Sequence, residues 1–299
     1  MTTPPLSPSA RAVGRASPER IAAYYDSTHV IYQALWSRHA LHYGMWDNST
    51  ASHQEALANT DRYVAESLAP DASYHILDAG CGVGETGRSL ARRFGCRVTC
   101  VTLSAKQAET SRLRTEREGL GKLVETHIAD FEALPFADGT FAAAYGLESL
   151  CHAKHRPTLC RELFRVVRPS GRVLIVDGWL SARARTPRQE QKYRELCAGW
   201  QIASLTTPAE MIEQLAGAGF AGARFEDLTD RILPTARYMS RLMKLLYLPV
   251  GLPARIGMLP RRWFEHGLAC LAQRPLLEEG AMVYGAITAQ RGCQDEVGG

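Results

Sequence analysis

The sequence lacks the signals that mark several common classes of protein. It contains no apolar run close to the ~20 residues that span a bilayer. Residues 1–16 are rich in Pro, Ser, Arg and Ala and lack the apolar core of a secretory signal, so we expect a disordered tail, with a transit peptide as the alternative. The 8 cysteines form no Cys-x-x-Cys pair and no cluster with zinc spacing. They indicate reduced, buried thiols in a cytoplasmic protein.

The sequence also has little excess of charge of either sign. The net charge is only +4, and the basic residues are spread along the chain without a stripe of interleaved aromatics, so nucleic acid is not the expected partner. The sequence shows no amphipathic, basic face for a membrane, and we predict no stable membrane insertion. At 299 residues, with 45% hydrophobic and 22% charged residues, the chain is instead typical of a globular protein with a large core.

What the sequence does have is a regular alternation of strands and helices from Tyr74 onwards. Strands are predicted at 74–78, 97–102, 124–129, 141–146 and 172–179, and helices at 84–94, 104–119 and 156–167. Further strands are predicted at 220–227 and 281–289. The alternation predicts an α/β fold: a Rossmann-like, doubly wound and mostly parallel seven-stranded sheet. In such sheets the ligand binds at the carboxyl ends of the strands.

The remaining segments are predicted to frame this core. The expected order is a disordered tail (1–16), an N-terminal helical cover (17–70), the core (71–227), a helical lid or acceptor-binding insertion (228–280), a closing strand (281–290) and a second tail (291–299).

The most informative segment is the glycine-rich turn Asp78-Ala79-Gly80-Cys81-Gly82-Val83-Gly84, which joins the first strand to a helix. Such a turn lets a ligand lie against backbone N–H groups at a helix N-terminus. A dinucleotide fingerprint would need its third glycine at Glu85, so that fingerprint fails. A tight turn without ligand, with Asp78 only capping the helix, is the simpler alternative.

The turn resembles motif I of the class I S-adenosylmethionine (SAM) methyltransferases. Support comes from Ala129-Asp130-Phe131 after the third strand and from Arg168-Pro169-Ser170-Gly171 before the fifth. Val101-Thr102-Leu103-Ser104, followed by Gln107, departs from the usual ribose-binding carboxylate. It resembles the variant found in the group of sterol, tocopherol and prenyl diphosphate methyltransferases and cyclopropane synthases.

The resemblance implies SAM as cofactor and a set of residues that bind it. These are Tyr24, Asp78, Gly80, Gly82, Gly84, Thr102, Leu103, Gln107, Asp130 and Phe131. Ordinary structural roles remain open for several of them: Ser104 beside this set can be a plain helix cap, Asp130 a surface carboxylate and Tyr24 a core residue.

Acceptor chemistry is predicted at the end of the fourth strand. Glu148 is expected to act as a general base, or to hold a polar group of the substrate or a metal-bound phosphate. His152 is expected to take a proton, with a structural histidine as the alternative. Tyr24-Tyr25-Asp26 resembles the start of an N-terminal helix that closes over SAM in the same group, where a tyrosine would reach the SAM carboxylate and Tyr25 could help to stabilise a carbocation. The loop from His42 to Trp46 resembles one whose aromatic faces lie near the sulfonium or the acceptor, where a cation is stabilised by ~0.5–2 kcal/mol. Both are also compatible with buried packing roles.

These residues favour C-methylation of an isoprenoid, such as a prenyl diphosphate, through a carbocation followed by proton loss. A diphosphate acceptor would add Mg²⁺ as a cofactor, although no dedicated metal ligands are predicted. The arginines at 183, 185, 188 and within 255–262 would bind an acidic head group or form a solvated face. The alternatives are O- or N-methylation of a natural product, a cyclopropane synthase, and a SAM-binding subunit without catalysis. Partners beyond the acceptor are not predicted, and homo-oligomerisation stays open.

Overall fold

The computed structural model describes Ile21, Ala23 and residues 42–292. Of the N-terminal helical cover expected over 17–70, the described part is Ile21, Ala23 and the residues from 42 onwards. The tail 1–16, Tyr24, Tyr25 and residues 293–299 lie outside the described residues.

A single seven-stranded sheet forms the centre of the molecule. Its strands are β1 (His75–Ala79), β2 (Arg97–Thr102), β3 (Val124–Ile128), β4 (Phe141–Leu147), β5 (Val167–Leu180), β6 (Phe220–Asp227) and β7 (Met282–Arg291). The strand order is β3-β2-β1-β4-β5-β7-β6. All neighbours pair in parallel except β7, which is antiparallel to both β5 and β6. The predicted doubly wound, mostly parallel sheet is confirmed.

Helices connect the strands and cover both faces of the sheet. They are α1 (His53–Leu68), α2 (Glu85–Phe94), α3 (Ala105–Arg117), α4 (Arg156–Val166), α5 (Pro187–Trp200), α6 (Pro208–Gly217), α7 (Thr229–Leu246), α8 (Leu252–Arg255) and α9 (Arg261–Glu278). Thr186 and Thr207 each begin a helix with a reciprocal capping box and a proline in the first turn, which fixes the starts of α5 and α6.

The strands are buried on both sides, because successive side chains point to opposite faces. In β1, Ile76 packs into one apolar cluster together with Leu68 of α1 and Leu196 of α5. Its neighbour Leu77 packs into a second cluster with Leu159 of α4. This double burial explains why the strands read as short apolar runs without alternation.

One boundary of the sequence-based assignment needed correction. The fifth strand begins at Val167, directly after α4, and not at residue 172, because Val167 pairs with Phe141 across a register shift in β4. The insertion before β7 is helical: α7 continues through the π-helical turn Tyr247–Gly251 into α8, and α9 begins after Pro260. Within residues 42–292, no helix combines the length and apolar character needed to cross a membrane.

Candidate active site

One cavity lies at the carboxyl ends of β1, β2, β4 and β5. Its cofactor half is lined by the glycine-rich turn, the end of β2 and the start of α3, together with Phe131 after β3. Its acceptor half is lined by the end of β4, by Asp177 and Tyr284 on β5 and β7, and by side chains from α5, α7 and α9. The parallel topology brings these strand ends together, as expected for an open α/β sheet.

The glycine-rich turn has the conformation that only glycine adopts readily. Gly80, Gly82 and Gly84 have φ values of 92°, 54° and 73°. A Cβ at Gly80 would lie 2.4 Å from the Cβ of Ser149, so the turn is closed tightly against the loop after β4. Gly80 and Gly82 line the cavity, whereas Gly84 lies behind it as the N-cap of α2. The residues of this turn fit a ligand that approaches bare backbone.

Buried side chains hold the turn from behind. Asp78 accepts a 2.6 Å hydrogen bond from the hydroxyl of Tyr145, and burial raises the pKa of Asp78 to about 7. Arg88 is fully buried and donates to the carbonyl of Val83 at 2.7 Å and to Glu85. Sequence reasoning missed Arg88, although an arginine in the first turn of the helix after motif I is visible in the sequence.

At the end of β2, uncharged polar side chains stand in place of the usual ribose-binding carboxylate. The hydroxyl of Thr102 donates to Oε1 of Gln107 at 2.9 Å, and Ser104 caps α3 through a bond from the Gln107 N–H. Among the described residues, no partner is found for the amide nitrogen Nε2 of Gln107, which borders the cavity. This amide can donate to a ribose oxygen, so Thr102, Leu103 and Gln107 fit the cofactor half that the sequence predicted.

The acidic residue after β3 lies outside the cavity lining. Phe131 is buried and lines the cofactor half, as predicted. Asp130 instead accepts a 2.9 Å bond from the N–H of Glu132 and lies 4.0 Å from the Nζ of Lys154. The structure therefore places Asp130 beside the rim, where its predicted contact with adenine stays a prediction.

Glu148 is held at the junction of the two halves. Its Oε1 accepts hydrogen bonds from the Tyr43 N–H at 2.8 Å and from the Tyr284 hydroxyl at 2.7 Å. No described residue bonds to its second oxygen, Oε2. Burial raises the pKa of Glu148 to about 7, although the charge of His42 and the two hydrogen bonds oppose the increase. Its φ of 52° is rare for a residue other than glycine and is typical of functional sites.

A buried ion pair lies next to Glu148. His42 Nε2 is 3.5 Å from Asp61 of α1, which also accepts a 2.6 Å bond from Thr86. Burial alone would lower the pKa of His42, but the nearby carboxylate of Asp61 outweighs it and raises that pKa to about 9. His42 therefore carries a positive charge near neutral pH, and this charge faces Glu148.

His152 is neutral under the same conditions. It lines the acceptor half, and burial lowers its pKa to about 4, with a hydrogen bond to the backbone of Gln201 acting in the opposite direction. With the lower pKa it is the weaker base of the pair that the sequence proposed, so Glu148 is better suited to take a proton. Asp177, which sequence reasoning missed, lines the same space and accepts bonds from the N–H groups of Cys151 and Gly178.

The acceptor half is otherwise apolar. Its apolar lining comprises Leu196, Trp200, Ile202, Leu205, Met239 and Leu277. No lysine or arginine among the described residues lines the cavity. Arg185, predicted as one candidate for an acidic head group, pairs with Glu190 and stacks on the ring of Tyr193. Among the described residues there is also no cluster of three or more His, Cys, Asp or Glu side chains that would hold a metal ion.

The aromatic residues predicted near the acceptor have different fates. Trp46 does not line the cavity: its Nε1 donates to Thr235 of α7 at 2.8 Å, and its N–H donates to the carbonyl of Arg231 at 2.7 Å. The structure therefore favours the packing role that stayed open for Trp46, because the indole anchors its loop to α7; a place near the acceptor stays a prediction. Tyr24 and Tyr25 lie outside the described residues. Tyr43 and Tyr284 occupy the aromatic position instead, edge to face at 5.5 Å.

Comparison with known proteins identifies the family and the fold. A family model described as a methyltransferase domain matches residues 77–175. The O-methyltransferase resE of Aspergillus sclerotiorum is 30% identical over 203 residues, which are 67% of this chain and 76% of that protein. A probable chloroplastic tocopherol O-methyltransferase of Oryza sativa subsp. japonica is 28% identical over 231 residues, 72% of this chain and 63% of its own length. Other relatives are named as N-methyltransferases of glycine derivatives and as a sterol C-methyltransferase.

Two solved structures show the same fold at lower sequence identity. The [4+2]-cyclase SpnF superposes with a TM-score of 0.77 at 24% identity, covering 93% of this chain and 97% of its own. A geranyl diphosphate C-methyltransferase from Streptomyces coelicolor A3(2), in complex with Mg²⁺, superposes with a TM-score of 0.70 at 21% identity, covering 92% and 97%. Because a cyclase and a methyltransferase share this fold, the reaction of this chain must be argued from its own site.

Proposed function

Because this chain belongs to the class I SAM-dependent methyltransferases, we propose that it methylates a hydroxyl oxygen of a lipophilic small molecule. The observation that carries this proposal is Glu148, a carboxylate with a pKa of about 7 whose Oε2 has no partner among the described residues. It borders a chamber that is otherwise largely apolar.

The lining of the acceptor half supports a lipophilic acceptor without phosphate groups. Its walls are aliphatic side chains and Trp200, and burying such a lining against an apolar ligand contributes about 25 cal/mol per Å². Glu148 and Asp177 are the ionisable acids in this half, and no described lysine or arginine opposes them. A diphosphate would meet two carboxyl groups, and the one cation among the described lining residues, His42, is already paired with Asp61. Such an arrangement is costly for a doubly charged group in a buried site.

Glu148 has the properties needed to accept the proton of a hydroxyl. Tyr43 and Tyr284 fix Oε1 from two sides, so Oε2 is oriented without a loss of conformational freedom during the reaction. A base is most effective when its pKa lies near the working pH, and Glu148 meets this condition. Bound SAM would supply the methyl group, held by the glycine-rich turn, Thr102, Gln107 and Phe131. The methyl group would move from the sulfur of SAM to the acceptor oxygen, which leaves S-adenosylhomocysteine, and Oε2 of Glu148 would take the proton of the hydroxyl.

The remaining polar groups fit recognition of the acceptor. Neutral His152 lines the chamber and can donate or accept one hydrogen bond without adding charge. Gln273 of α9 also reaches the chamber. In a mainly apolar chamber, a small number of polar groups determines the orientation of a ligand more than its affinity.

C-methylation of an isoprenoid alkene is the second candidate. Tyr43 and Tyr284 present aromatic rings beside the same carboxylate. Aromatic faces stabilise a cation, and Glu148 would then remove the proton that a carbocation must lose. The described residues do not fit Mg²⁺ bound by a protein cluster, so no step is assigned to a metal.

Turnover of a panel of acceptors with SAM carrying a deuterated methyl group tests the proposal. The panel contains lipophilic phenols and alcohols, their hydroxyl-free analogues, lipophilic amines and prenyl diphosphates with and without Mg²⁺. We expect label on oxygen, and only in hydroxylated acceptors. Label on carbon of an alkene would replace the proposal with the second candidate, and label on nitrogen would overturn both.

A further inference from the structure

An exposed apolar tip ends the helical insertion between β6 and β7. Leu245, Leu248, Leu252, Ile256 and Met258 form this insertion tip, with exposed fractions of 77%, 72%, 39%, 64% and 75%. Only three other large apolar side chains among the described residues are comparably exposed: Leu113, Ile128 and Tyr238. Isolated exposed leucines are ordinary, but five on one segment mark an interaction surface.

The geometry of the segment aligns these residues. Helix α7 continues through the π-helical turn Tyr247–Gly251 into α8. Along this path Leu245, Leu248, Leu252 and Ile256 follow one another at intervals of three, four and four residues, which places them along one face. Arg241 continues the same stripe one turn earlier. The tip is therefore an amphipathic ridge and not a random scatter of side chains.

The charge around the tip has one sign. Residues 231–264 contain seven basic residues and no aspartate or glutamate. The seven are Arg231, Arg237, Arg241, Lys244, Arg255, Arg261 and Arg262. Arg237 and Arg261 pair with Glu278 and Glu265, which lie outside this segment. For Arg241, Lys244 and Arg255, all exposed, no ion pair is found among the described residues.

We propose that the insertion tip docks reversibly on an anionic lipid surface. Exposed aliphatic side chains enter the boundary between head groups and acyl chains, while basic residues beside them contact the anionic head groups. This mode lies in the interface and needs no membrane-spanning helix. The sequence analysis found no amphipathic, basic face; the exposure of the leucines beside Arg241 and Lys244 is the observation that favours one here.

Charge complementarity favours lipid over the other occupants. A second copy of the chain on the same patch would bring like charges together, which opposes a two-fold interface. A nucleic acid would neutralise the basic residues but would leave five aliphatic side chains in water. An anionic lipid surface satisfies both features at once.

The tip is also connected to the acceptor half. Met239 of α7 lines the acceptor half and precedes Leu245 by six residues, about 9 Å of helix. Docking at the tip would hold the chamber close to a store of lipophilic acceptors. The inference goes beyond the proposed function and does not depend on which atom is methylated.

Flotation of the full chain with vesicles tests the docking. The vesicles contain phosphatidylcholine alone or an equal mixture with phosphatidylglycerol. We expect binding to the anionic mixture, weakening as salt is raised, and little binding to phosphatidylcholine alone. Each basic residue removed should weaken binding about fivefold, so the double variant Arg241→Gln/Lys244→Gln should bind about 25-fold more weakly. The triple variant Leu245→Ser/Leu248→Ser/Met258→Ser should lose about tenfold or more.

Matched variants elsewhere on the surface control for general effects. Leu113→Ser/Ile128→Ser removes apolar residues that are 46% and 53% exposed, and Arg172→Gln/Arg224→Gln removes two exposed charges. Both should bind vesicles as the parent chain does. Unchanged SAM affinity shows that each variant is folded. Absence of binding to anionic vesicles, equal losses in the control variants, or patch-dependent dimerisation without vesicle binding would each overturn the proposal.

Discussion

The two halves of the cavity are built in different ways. The cofactor half is made by short, contiguous stretches at the ends of β1 and β2, where backbone conformation does most of the work. The acceptor half is made by single side chains from β4, β5, α5, α7, α9 and β7. A contiguous turn can be recognised from its spacing, whereas a chamber assembled from distant side chains cannot. The comparison explains why the methyl donor is identified more sharply than the acceptor.

Glu148→Gln should give the largest difference between the two halves, because it should reduce turnover and leave SAM affinity intact. The amide keeps the shape of the side chain but cannot accept the proton of the acceptor. We expect kcat to fall about 100- to 10,000-fold, while SAM affinity measured by calorimetry stays within about twofold of the parent. Glu116→Gln, an exposed carboxylate on α3, is the matched control and should change neither quantity. A loss of SAM affinity equal to the loss of turnover would show that Glu148 belongs to the cofactor half.

Gly80→Ala should instead lower SAM affinity, which is the quantity that Glu148→Gln leaves nearly unchanged. The new methyl group would overlap Ser149, at 2.4 Å, in a backbone conformation with φ of 92°. Strain of this kind costs about 1–3 kcal/mol, so we expect SAM affinity to fall about 10- to 100-fold. Gly119 also has a positive φ, of 69°, but has open space around it. Gly119→Ala should therefore leave SAM affinity unchanged, and an equal loss in this variant would point to general destabilisation.

Asp61→Asn tests the junction of the two halves, where Glu148 lies. We expect it to have the smallest effect of the three variants. Glu148 acts as a base only when ionised, so kcat/KM should fall as the pH drops through about 7. Without Asp61, the pKa of His42 falls and its positive charge is lost near neutral pH. That charge lowers the pKa of Glu148, so the acidic limb of the profile should move to higher pH by roughly one unit.

The other titratable groups that face Glu148 among the described residues are Asp177, Cys151 and the hydroxyl of Tyr284, and none of them is altered in this variant. A pH profile that is merely scaled down, with its acidic limb in place, would show that Asp61 has only a structural role.

Sequence reasoning was strong for local features and weak for contacts. The turn from Asp78 to Gly82, the cap at Ser104 and the polar pair Thr102 and Gln107 all lie where they were predicted, because each depends on residues within a few positions. The anchoring of Trp46 could not be read from its local sequence, because Thr235, which accepts the indole N–H, is 189 residues away. Asp177 and Tyr284 were missed for the same reason.

The sequence by itself determined the order of strands and helices and the glycine-rich turn, and through them the methyl donor. Backbone dihedral preferences and the alternation of apolar runs are properties of short segments, so they can be read before folding. Only the tertiary structure decided that Tyr43 and Tyr284 fix Glu148 from 105 and 136 residues away. It also decided that the chamber is apolar and that the leucines of the insertion tip stay exposed. These features depend on which distant side chains pack together, and that is set by burial across the whole sheet.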